Sequence, residues 1–375
     1  MQIYSNFDGG SIEIHSIDGH HAMLTIPKDT HSEFLQWFYF QVNIKTLTSC
    51  SFSILNAGET SYPEGWVDYY PCISYDRKNW QRIGDADFDG KQLDFSFMPL
   101  HKQFYLAYFA PFSYEQHLNL IAKAQCQAHI THHILGQTVQ KRNIDLLYLS
   151  KTDKPLKKIW VIARQHPGET MAEWFIDGLI TKLAYQATDE VDALLKNFAF
   201  YIVPNMNVDG AFLGNLRVNA KGVNLNREWL NPTIEHSPEV YYVLEKIKQT
   251  GVDLFLDIHG DEALPYNFIS ASEGVPNLTD KLYELEQQFI QVLLNTSNDF
   301  QREYGYAIDE KGQANLSLAS NYIANTFLCP SLTIEMPFKD NANAPNLVTG
   351  WSPERSQKFA EDTLTAIAKF YQVKT

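Results

Sequence analysis

A histidine and a glutamate stand three residues apart in the run RQHPGE at 164–169, and a second histidine follows in DIHG at 257–260. This spacing lets His166 and Glu169 reach one ion from a single turn, and His259 supplies a third ligand. Two imidazoles and one carboxylate, with one position left for water, are a usual ligand set of catalytic zinc. Because zinc makes its bound water a nucleophile at neutral pH, the set predicts a metallohydrolase with one Zn²⁺ per chain.

Three further side chains could complete such a site. Glu335 follows an apolar run and precedes Met-Pro-Phe. A carboxylate near zinc-bound water can act as general base and then pass the proton to a leaving amine. Arg217 and the pair Asn226-Arg227 lie between the two histidine motifs. An arginine with an adjacent amide suits a substrate carboxylate, and a second arginine can stabilise a developing oxyanion.

Residues 126–375 alternate between strand-like and helix-like patterns. His166, His259 and Glu335 each come directly after a run that reads as a buried strand. In open α/β sheets, ligands bind beyond the carboxyl ends of the strands. We therefore expect an α/β domain that collects these sequence-distant residues at one edge of its sheet.

Residues 1–125 have a different rhythm. Phe38, Phe40, Val42 and Ile44 alternate along one face of a predicted strand. Other short strand candidates follow, separated by turn signals such as DGG at 8–10 and DG at 89–90. This pattern is typical of an all-β sandwich, so we predict two domains, 1–125 and 126–375.

The amino-acid composition excludes several classes of binding partner and metal site. The 375 residues include 30 basic and 44 acidic side chains, a net charge of -14, which argues against nucleic acid as a partner. The four cysteines form no CxxC pair, so a cysteine zinc site is not expected. The first residues do not resemble a secretory signal, and no apolar stretch is long enough to span a bilayer. We expect a cytoplasmic protein with free thiols and no membrane partner.

Six segments together carry a resemblance to a known family. They are HPGE at 166–169, NMNVDG at 205–210, GNLR at 214–217, NLNR at 224–227, DIHG at 257–260 and TIE at 333–335. In order and approximate spacing they resemble the zinc metallocarboxypeptidases, most closely the cytosolic carboxypeptidase-like branch. The resemblance implies a mixed-sheet α/β/α catalytic domain preceded by a β-sandwich domain. The aromatic run at 105–114 also resembles the junction of that branch.

The same resemblance implies roles for these residues. His166, Glu169 and His259 would bind zinc, and Glu335 would activate water. Arg217 would polarise the scissile carbonyl and hold the oxyanion. The pair Asn226 and Arg227 would grip the terminal carboxylate of a peptide or protein tail, so that the reaction removes one C-terminal amino acid.

Departures from the family pattern leave some assignments open. Asn224 stands where many relatives have an aspartate that supports a zinc histidine; its amide oxygen still accepts a hydrogen bond but adds no charge. Glu262 forms a second His-x-x-Glu with His259, so it is a minor alternative to Glu169 as a ligand.

The sequence also leaves the residues of the substrate pocket unassigned. The tyrosine expected to close over the substrate has three candidates: Tyr304, Tyr306 and Tyr322. Arg302 and Lys311 are the basic candidates for the pocket that reads the last side chain. The preferred terminal residue, the role of the first domain and the oligomeric state are not determined by these patterns.

Two other functions fit part of the pattern. A zinc amidohydrolase acting on N-acyl amino acids, like an aspartoacylase or a desuccinylase, uses a similar His-x-x-Glu and a distant histidine. A catalytically silent peptide-binding protein could use the same cleft. The HPGE motif and the N-terminal domain argue against the amidohydrolase. The complete set of metal-ligand candidates together with Glu335 argues against the silent binding protein.

Overall fold

A computed structural model describes residues 1–373 of the chain. The strands of its N-terminal part, numbered in chain order, are β1 (Gln2–Tyr4), β2 (Glu13–Asp18), β3 (His21–Thr25), β4 (Tyr39–Asn43), β5 (Cys50–Ile54), β6 (Cys72–Ser74), β7 (Gln81–Arg82), β8 (Ala86–Phe88), β9 (Leu93–Phe97) and β10 (Gln103–Ala107). The 3₁₀ helices Ala57–Glu59 and Pro63–Trp66 lie between β5 and β6. One sheet has the order β1-β4-β10-β6-β7 and the other the order β2-β3-β5-β9-β8.

Aromatic side chains pack these two sheets against each other. Phe40 of the first sheet and Phe52 of the second are buried, with ring centroids 6.1 Å apart. Phe52 also packs on Phe95, at 5.1 Å, and on Phe104, at 6.4 Å. Strands of both sheets therefore contribute side chains to a shared aromatic core, and the predicted β-sandwich is confirmed.

The remainder of the chain forms one mixed sheet with helices on both faces. Its helices are α1 (Tyr114–Ala124), α2 (Thr170–Tyr185), α3 (Asp189–Asn197), α4 (Val208–Leu213), α5 (Pro238–Thr250), α6 (Asp280–Leu294), α7 (Ala319–Phe327) and α8 (Pro353–Phe370), with a 3₁₀ turn at Leu225–Arg227. Its strands are β11 (Ile130–Gln137), β12 (Asn143–Leu149), β13 (Lys157–Ala163), β14 (Phe198–Val203), β15 (Leu254–Asp261), β16 (Phe268–Ser270) and β17 (Ser331–Pro337). The sheet order is β11-β12-β14-β13-β15-β17-β16.

The middle strands of this sheet are parallel, and its outer strands are antiparallel. β13 pairs in parallel with β14 and β15, and β15 pairs in parallel with β17. The pairs β11-β12, β12-β14 and β16-β17 are antiparallel. The carboxyl ends of β13, β15 and β17 therefore meet at one edge, as the positions of His166, His259 and Glu335 predict.

Side chains alternate between the two helical layers. In β15, Leu256 packs into the core formed with α2, α6 and α8, whereas Phe255 packs into the core formed with α5 and α7. This arrangement confirms the predicted α/β/α catalytic fold. None of the helices within residues 1–373 combines the length and the apolar character that crossing a bilayer requires.

Helix α1 joins the two halves and carries a buried charge network. The ring of His117 contacts Glu173 Oε1 at 2.7 Å and Asp145 Oδ2 at 3.1 Å. Glu173 also accepts a hydrogen bond from Arg164 at 2.5 Å. Helix α1 connects β10 of the first half to β11 of the second, and the predicted division at residues 125 and 126 falls directly after it. This division stays a proposal.

This network makes stability depend on pH. Burial lowers the pKa of His117, but the carboxylates of Glu173 and Asp145 outweigh it and raise the pKa to about 9. This value lies above the ~6.5 of an unfolded histidine, so the stabilisation is complete below about pH 6.5 and is lost as pH rises through about 9. We expect the difference in free energy of unfolding between wild type and His117→Gln to shrink by up to about 3 kcal/mol across this range.

Urea unfolding at about pH 6, 7.5 and 9.5 measures this difference. The matched control is His15→Gln, because His15 is exposed on β2. This variant controls for the loss of a histidine at the surface. A His117→Gln difference that is independent of pH would show that the buried histidine is not charged in the folded protein.

Candidate active site at the carboxyl edge of the mixed sheet

His166, Glu169 and His259 converge at the predicted edge. His166 lies in the turn after β13, Glu169 immediately precedes α2, and His259 lies near the end of β15. The Nδ1 atoms of the two histidines are 3.1 Å apart, and Glu169 approaches His166 Nδ1 at 2.6 Å and His259 Nδ1 at 2.7 Å. The three residues are at most 3% exposed. Each residue offers one ligand atom, and these three atoms lie within 4.8 Å of one another.

The far side of each imidazole has a different partner. His166 Nε2 lies 3.1 Å from the amide oxygen of Asn224, and His259 Nε2 lies 2.9 Å from Asp257 Oδ2. Burial and the nearby Arg217 lower the pKa of His166 to about 3. Burial also disfavours the charged form of His259, but Asp257 and then Glu169 raise its pKa well above the usual value. The charge on Asp257, absent from Asn224, is a main cause of this asymmetry.

Gln165 connects these partners to the core. Its amide nitrogen donates to Asp257 Oδ2 at 2.7 Å, and its amide oxygen accepts from Trp229 Nε1 at 2.8 Å. All three residues are fully buried. The contact fixes the Asp257 carboxylate, which in turn orients the His259 ring.

The turn that carries His166 is held by the residue two before it. Arg164 has a left-handed backbone with φ 60°, a conformation uncommon outside glycine. Its guanidinium donates to the carbonyls of Pro167 at 2.9 Å and Phe112 at 2.8 Å, and to Glu173. These contacts offset the cost of the backbone turn and direct the chain from β13 toward the metal-ligand candidates.

Glu335 lies beside the trio because of strand register. His259 of β15 is directly paired with Glu335 of β17. Glu335 is buried, and its Oε2 atom has no hydrogen-bond partner among the described residues. Burial, together with the negative charges of Glu169, Asp261 and Glu262, raises the pKa of Glu335 well above its usual range.

One of the three candidate tyrosines contacts this carboxylate. The Tyr306 hydroxyl donates to Asp261 Oδ2 at 2.7 Å and lies 3.3 Å from Glu335 Oε1. Tyr304 stacks instead on Tyr266, with ring centroids 4.4 Å apart. Tyr322 packs against the core of α5 and α7. Geometry therefore favours Tyr306 as the residue that can close over a substrate.

Two arginines, Arg217 and Arg227, bring positive charge to the cavity that contains the trio and Glu335. Arg217 is largely buried, its Nη1 is 3.6 Å from Glu169 Oε1, and its Nε has no partner within residues 1–373. The Tyr62 ring lies 5.5 Å from its guanidinium. Burial, and then the nearby charge of Arg217, lower the pKa of Arg227. Since Asn226 Oδ1 accepts from the Ala319 backbone at 2.9 Å, its amide nitrogen is the group that can donate to a substrate.

All seven site residues predicted from the sequence line one cavity of about 880 Å³. Arg302 is part of this lining and Lys311 is not. Tyr62 and Glu64, from the N-terminal half, form part of the wall, and acidic side chains outnumber the arginines. The positive charge of Arg217 and Arg227 is therefore local within a mostly negative cavity.

The chemistry of the trio fits zinc. Two imidazole nitrogens and a carboxylate oxygen are a donor set that zinc binds with one position open. The two Nδ1 atoms face each other beside a buried carboxylate, and further buried carboxylates surround them. Such a concentration of electron pairs and negative charge is suited to a divalent cation. Glu262 lines the cavity but is not part of the trio.

Several residues of the site were not assigned a role from the sequence. Asp257 is two residues before His259, and the strand period of two could have placed it on the same face. Gln165 and Trp229 had no comparable signal, because their contacts join loops that are distant in sequence. Tyr62 belongs to the other half of the chain.

Comparison with known protein families shows which family this chain belongs to. Residues 114–365 match the family of zinc carboxypeptidases, and residues 3–109 match the cytosolic carboxypeptidase N-terminal domain. The chain belongs to the zinc carboxypeptidase family. The predicted enzyme class, a metallocarboxypeptidase, and the resemblance to the cytosolic branch are thereby confirmed.

Solved structures of zinc carboxypeptidase relatives share the whole fold. A metallo-carboxypeptidase from Burkholderia cenocepacia is 43% identical with a TM-score of 0.97, and 100% of each chain is covered. One from Pseudomonas aeruginosa, in complex with (2-guanidinoethylmercapto)succinic acid, is 42% identical with a TM-score of 0.97 and 99% of each chain covered.

Human cytosolic carboxypeptidase 6 is 28% identical over 312 residues, which are 73% of this chain and 59% of the human protein.

Metal binding tests the composition of the trio. We expect the protein to retain one zinc per chain after dialysis, as measured by elemental mass spectrometry. Glu169→Gln should weaken zinc binding by more than the roughly 10- to 100-fold that loss of an outer partner costs. Glu262→Gln should retain the metal, because Glu262 lies outside the trio. Loss of zinc in Glu262→Gln but not in Glu169→Gln would reverse the assignment.

Proposed function

We propose that this family member is a zinc-dependent carboxypeptidase that removes the C-terminal residue of peptides or protein tails. His166, Glu169 and His259 hold one zinc ion per chain, and Glu335 is the general base. Arg217 stabilises the oxyanion, and Asn226 and Arg227 bind the terminal carboxylate. The observation that carries the proposal is the meeting of all these groups in one cavity.

Proton transfer depends on Glu335. Zinc, when bound, lowers the pKa of a water molecule and polarises a carbonyl. The charge of bound zinc would offset the carboxylates that raise the pKa of Glu335 and so favour its ionised form. Its Oε2, which has no hydrogen-bond partner among the described residues, then accepts the proton of the attacking water and delivers it to the leaving amine. Arg217 lines the same cavity, and its Nε, which has no partner among the described residues, is available for the developing negative charge.

Recognition of the chain end depends on Arg227 and Asn226. The charge of Arg217 is close enough to lower the pKa of Arg227, so a chain-terminal carboxylate bound by Arg227 would relieve this repulsion. The amide nitrogen of Asn226 adds a neutral donor. The ligand of the Pseudomonas aeruginosa relative contains a succinic acid group, which supports a site for carboxylates here.

The free carboxylate should decide which peptides are cleaved. We expect mass spectrometry to show loss of single C-terminal residues from free-acid peptides and no cleavage of the same peptides with amidated ends. Arg227→Ala should lower kcat/KM for the free acids by roughly 10- to 100-fold, since a charge-assisted hydrogen bond is lost. A chelator should abolish the activity.

Equal cleavage of amidated and free-acid peptides would contradict an exopeptidase. Turnover of N-acyl amino acids without peptide trimming would instead favour the amidohydrolase. Peptide binding by the zinc-loaded protein without any turnover would favour the silent binding protein.

Replacement of the base should separate chemistry from metal binding. In Glu335→Gln we expect kcat to fall by roughly 10²- to 10⁴-fold, because the amide cannot accept the proton, while zinc content stays the same. Glu310→Gln, in an exposed loop outside the cavity, is the matched control and should keep wild-type kcat. A Glu335→Gln protein with full activity would show that another group is the base.

The proposal includes a cytoplasmic location. The human relative is named a cytosolic carboxypeptidase. Cys50, Cys72, Cys126 and Cys329 are free thiols, as expected in a reducing compartment. Fractionation of cells that produce the native protein would test this part directly.

A further inference from the structure

One carboxylate of the N-terminal half holds the backbone of the Arg217 loop. Asp29 Oδ1 accepts from the amide of Leu216 at 2.7 Å, and Asp29 Oδ2 accepts from the amides of Arg217 at 2.7 Å and Val218 at 3.3 Å. Asp29 is only 6% exposed. Three consecutive amides of the catalytic half are thus satisfied by a side chain nearly 190 residues earlier in the sequence.

The neighbouring residues repeat this connection. The backbone amide and the hydroxyl of Thr30 both donate to Asn215 Oδ1, each at 3.1 Å, and Asn215 Nδ2 donates to the carbonyl of Val218 at 3.0 Å. Gly214 has φ 75°, and a Cβ there would lie 2.9 Å from the carbonyl oxygen of Gly9. The loop is therefore docked along its length on the N-terminal half.

The docked loop contacts the catalytic groups on its other side. The carbonyl of Leu216 accepts from the amide of Gly168, between His166 and Glu169, at 2.8 Å. The guanidinium of Arg217 reaches from the loop toward Glu169, and Tyr62 of the N-terminal half flanks it. A shift of the loop would therefore move Arg217 relative to the metal-ligand candidates.

We propose that Asp29 is a positioning residue for the reaction, which fixes the Arg217 loop so that the guanidinium meets the developing oxyanion. This inference rests on the function proposed above and gives the N-terminal half a part in it. Asp29 does not touch the substrate; it acts through Arg217.

A carboxylate suits this task better than its neutral isostere. Burial raises the pKa of Asp29 to about 6, although the amides of Leu216, Arg217 and Val218 oppose this, so the group is mostly ionised at neutral pH. An ionised carboxylate has two acceptor oxygens for the three amides. An asparagine has one, and its NH₂ group would face an amide donor.

A double-mutant cycle between Asp29 and Arg217 tests the proposal. We expect Asp29→Asn to lower kcat by roughly 10- to 100-fold, as a misplacement of about 1 Å can do, while KM changes less than about twofold because Arg227 and Asn226 still bind the carboxylate. In the Arg217→Ala background, Asp29→Asn should change kcat less than about twofold. A role in folding alone would give the same loss in both backgrounds.

A second readout does not depend on activity. Hydrogen exchange of the peptide that contains residues 216–218 should be at least about tenfold faster in Asp29→Asn, while zinc content is unchanged. The matched control is Asp94→Asn, because Asp94 bonds Ser53 and Gln92 within the N-terminal half. It should leave kcat and this exchange rate at wild-type values. If Asp29→Asn gives little folded protein, Thr30→Val takes its place in the cycle, since it removes one donor to Asn215.

The outcomes separate the two claims. An active parent protein with additive effects of Asp29→Asn and Arg217→Ala overturns the positioning role and leaves the proposed function intact. Unchanged exchange at residues 216–218 also overturns it. A zinc-loaded parent protein that trims no peptide overturns the proposed function itself.

Discussion

The contact of Glu169 with both His166 and His259 is the interaction on which the rest of the site depends. It places a carboxylate and two imidazoles in the interior, where unpaired charge is costly. The surrounding structure supplies the required partners. Asn224 and Asp257 bond the outer nitrogens of the rings, and the main-chain amide of Gly260 donates to Glu169.

The sheet makes this contact possible. Parallel strands β13, β15 and β17 end at one edge, and their register pairs His259 with Glu335. Each turn beyond that edge then needs its own support. The left-handed turn at Arg164 is held by its ties to two carbonyls and to Glu173. A rigid scaffold therefore carries the site, and the polar network around it removes the remaining freedom.

The cavity has a negatively charged region around the histidines and a positively charged region around two arginines. Carboxylates crowd the region of the histidines, where the zinc of the proposed function would balance their charge. Arg217 and Arg227 form a separate positive region, in which the proposed function gives Arg217 the oxyanion and Arg227 the chain-terminal carboxylate. The N-terminal sandwich contributes to this division through Tyr62 beside Arg217 and through Asp29 beneath its loop. Residues of both halves of the chain thus line one cavity.

The sequence by itself determined the fold class, the family and seven of the residues that line the cavity. The fold class follows from the alternation of strands and helices, the metal-ligand candidates from the His-x-x-Glu spacing and the position of His259 after a strand, and the family from the resemblance of six short segments. The division at residues 125 and 126 and the chemical roles stay predictions. Only the tertiary structure decided that Tyr306 rather than Tyr304 or Tyr322 reaches Glu335, that Gln165 and Trp229 support Asp257, and that Asp29 holds the Arg217 loop. The physical reason is that a hydrogen bond depends on which loops meet in space, and residues far apart in sequence leave no periodic pattern that records such a meeting.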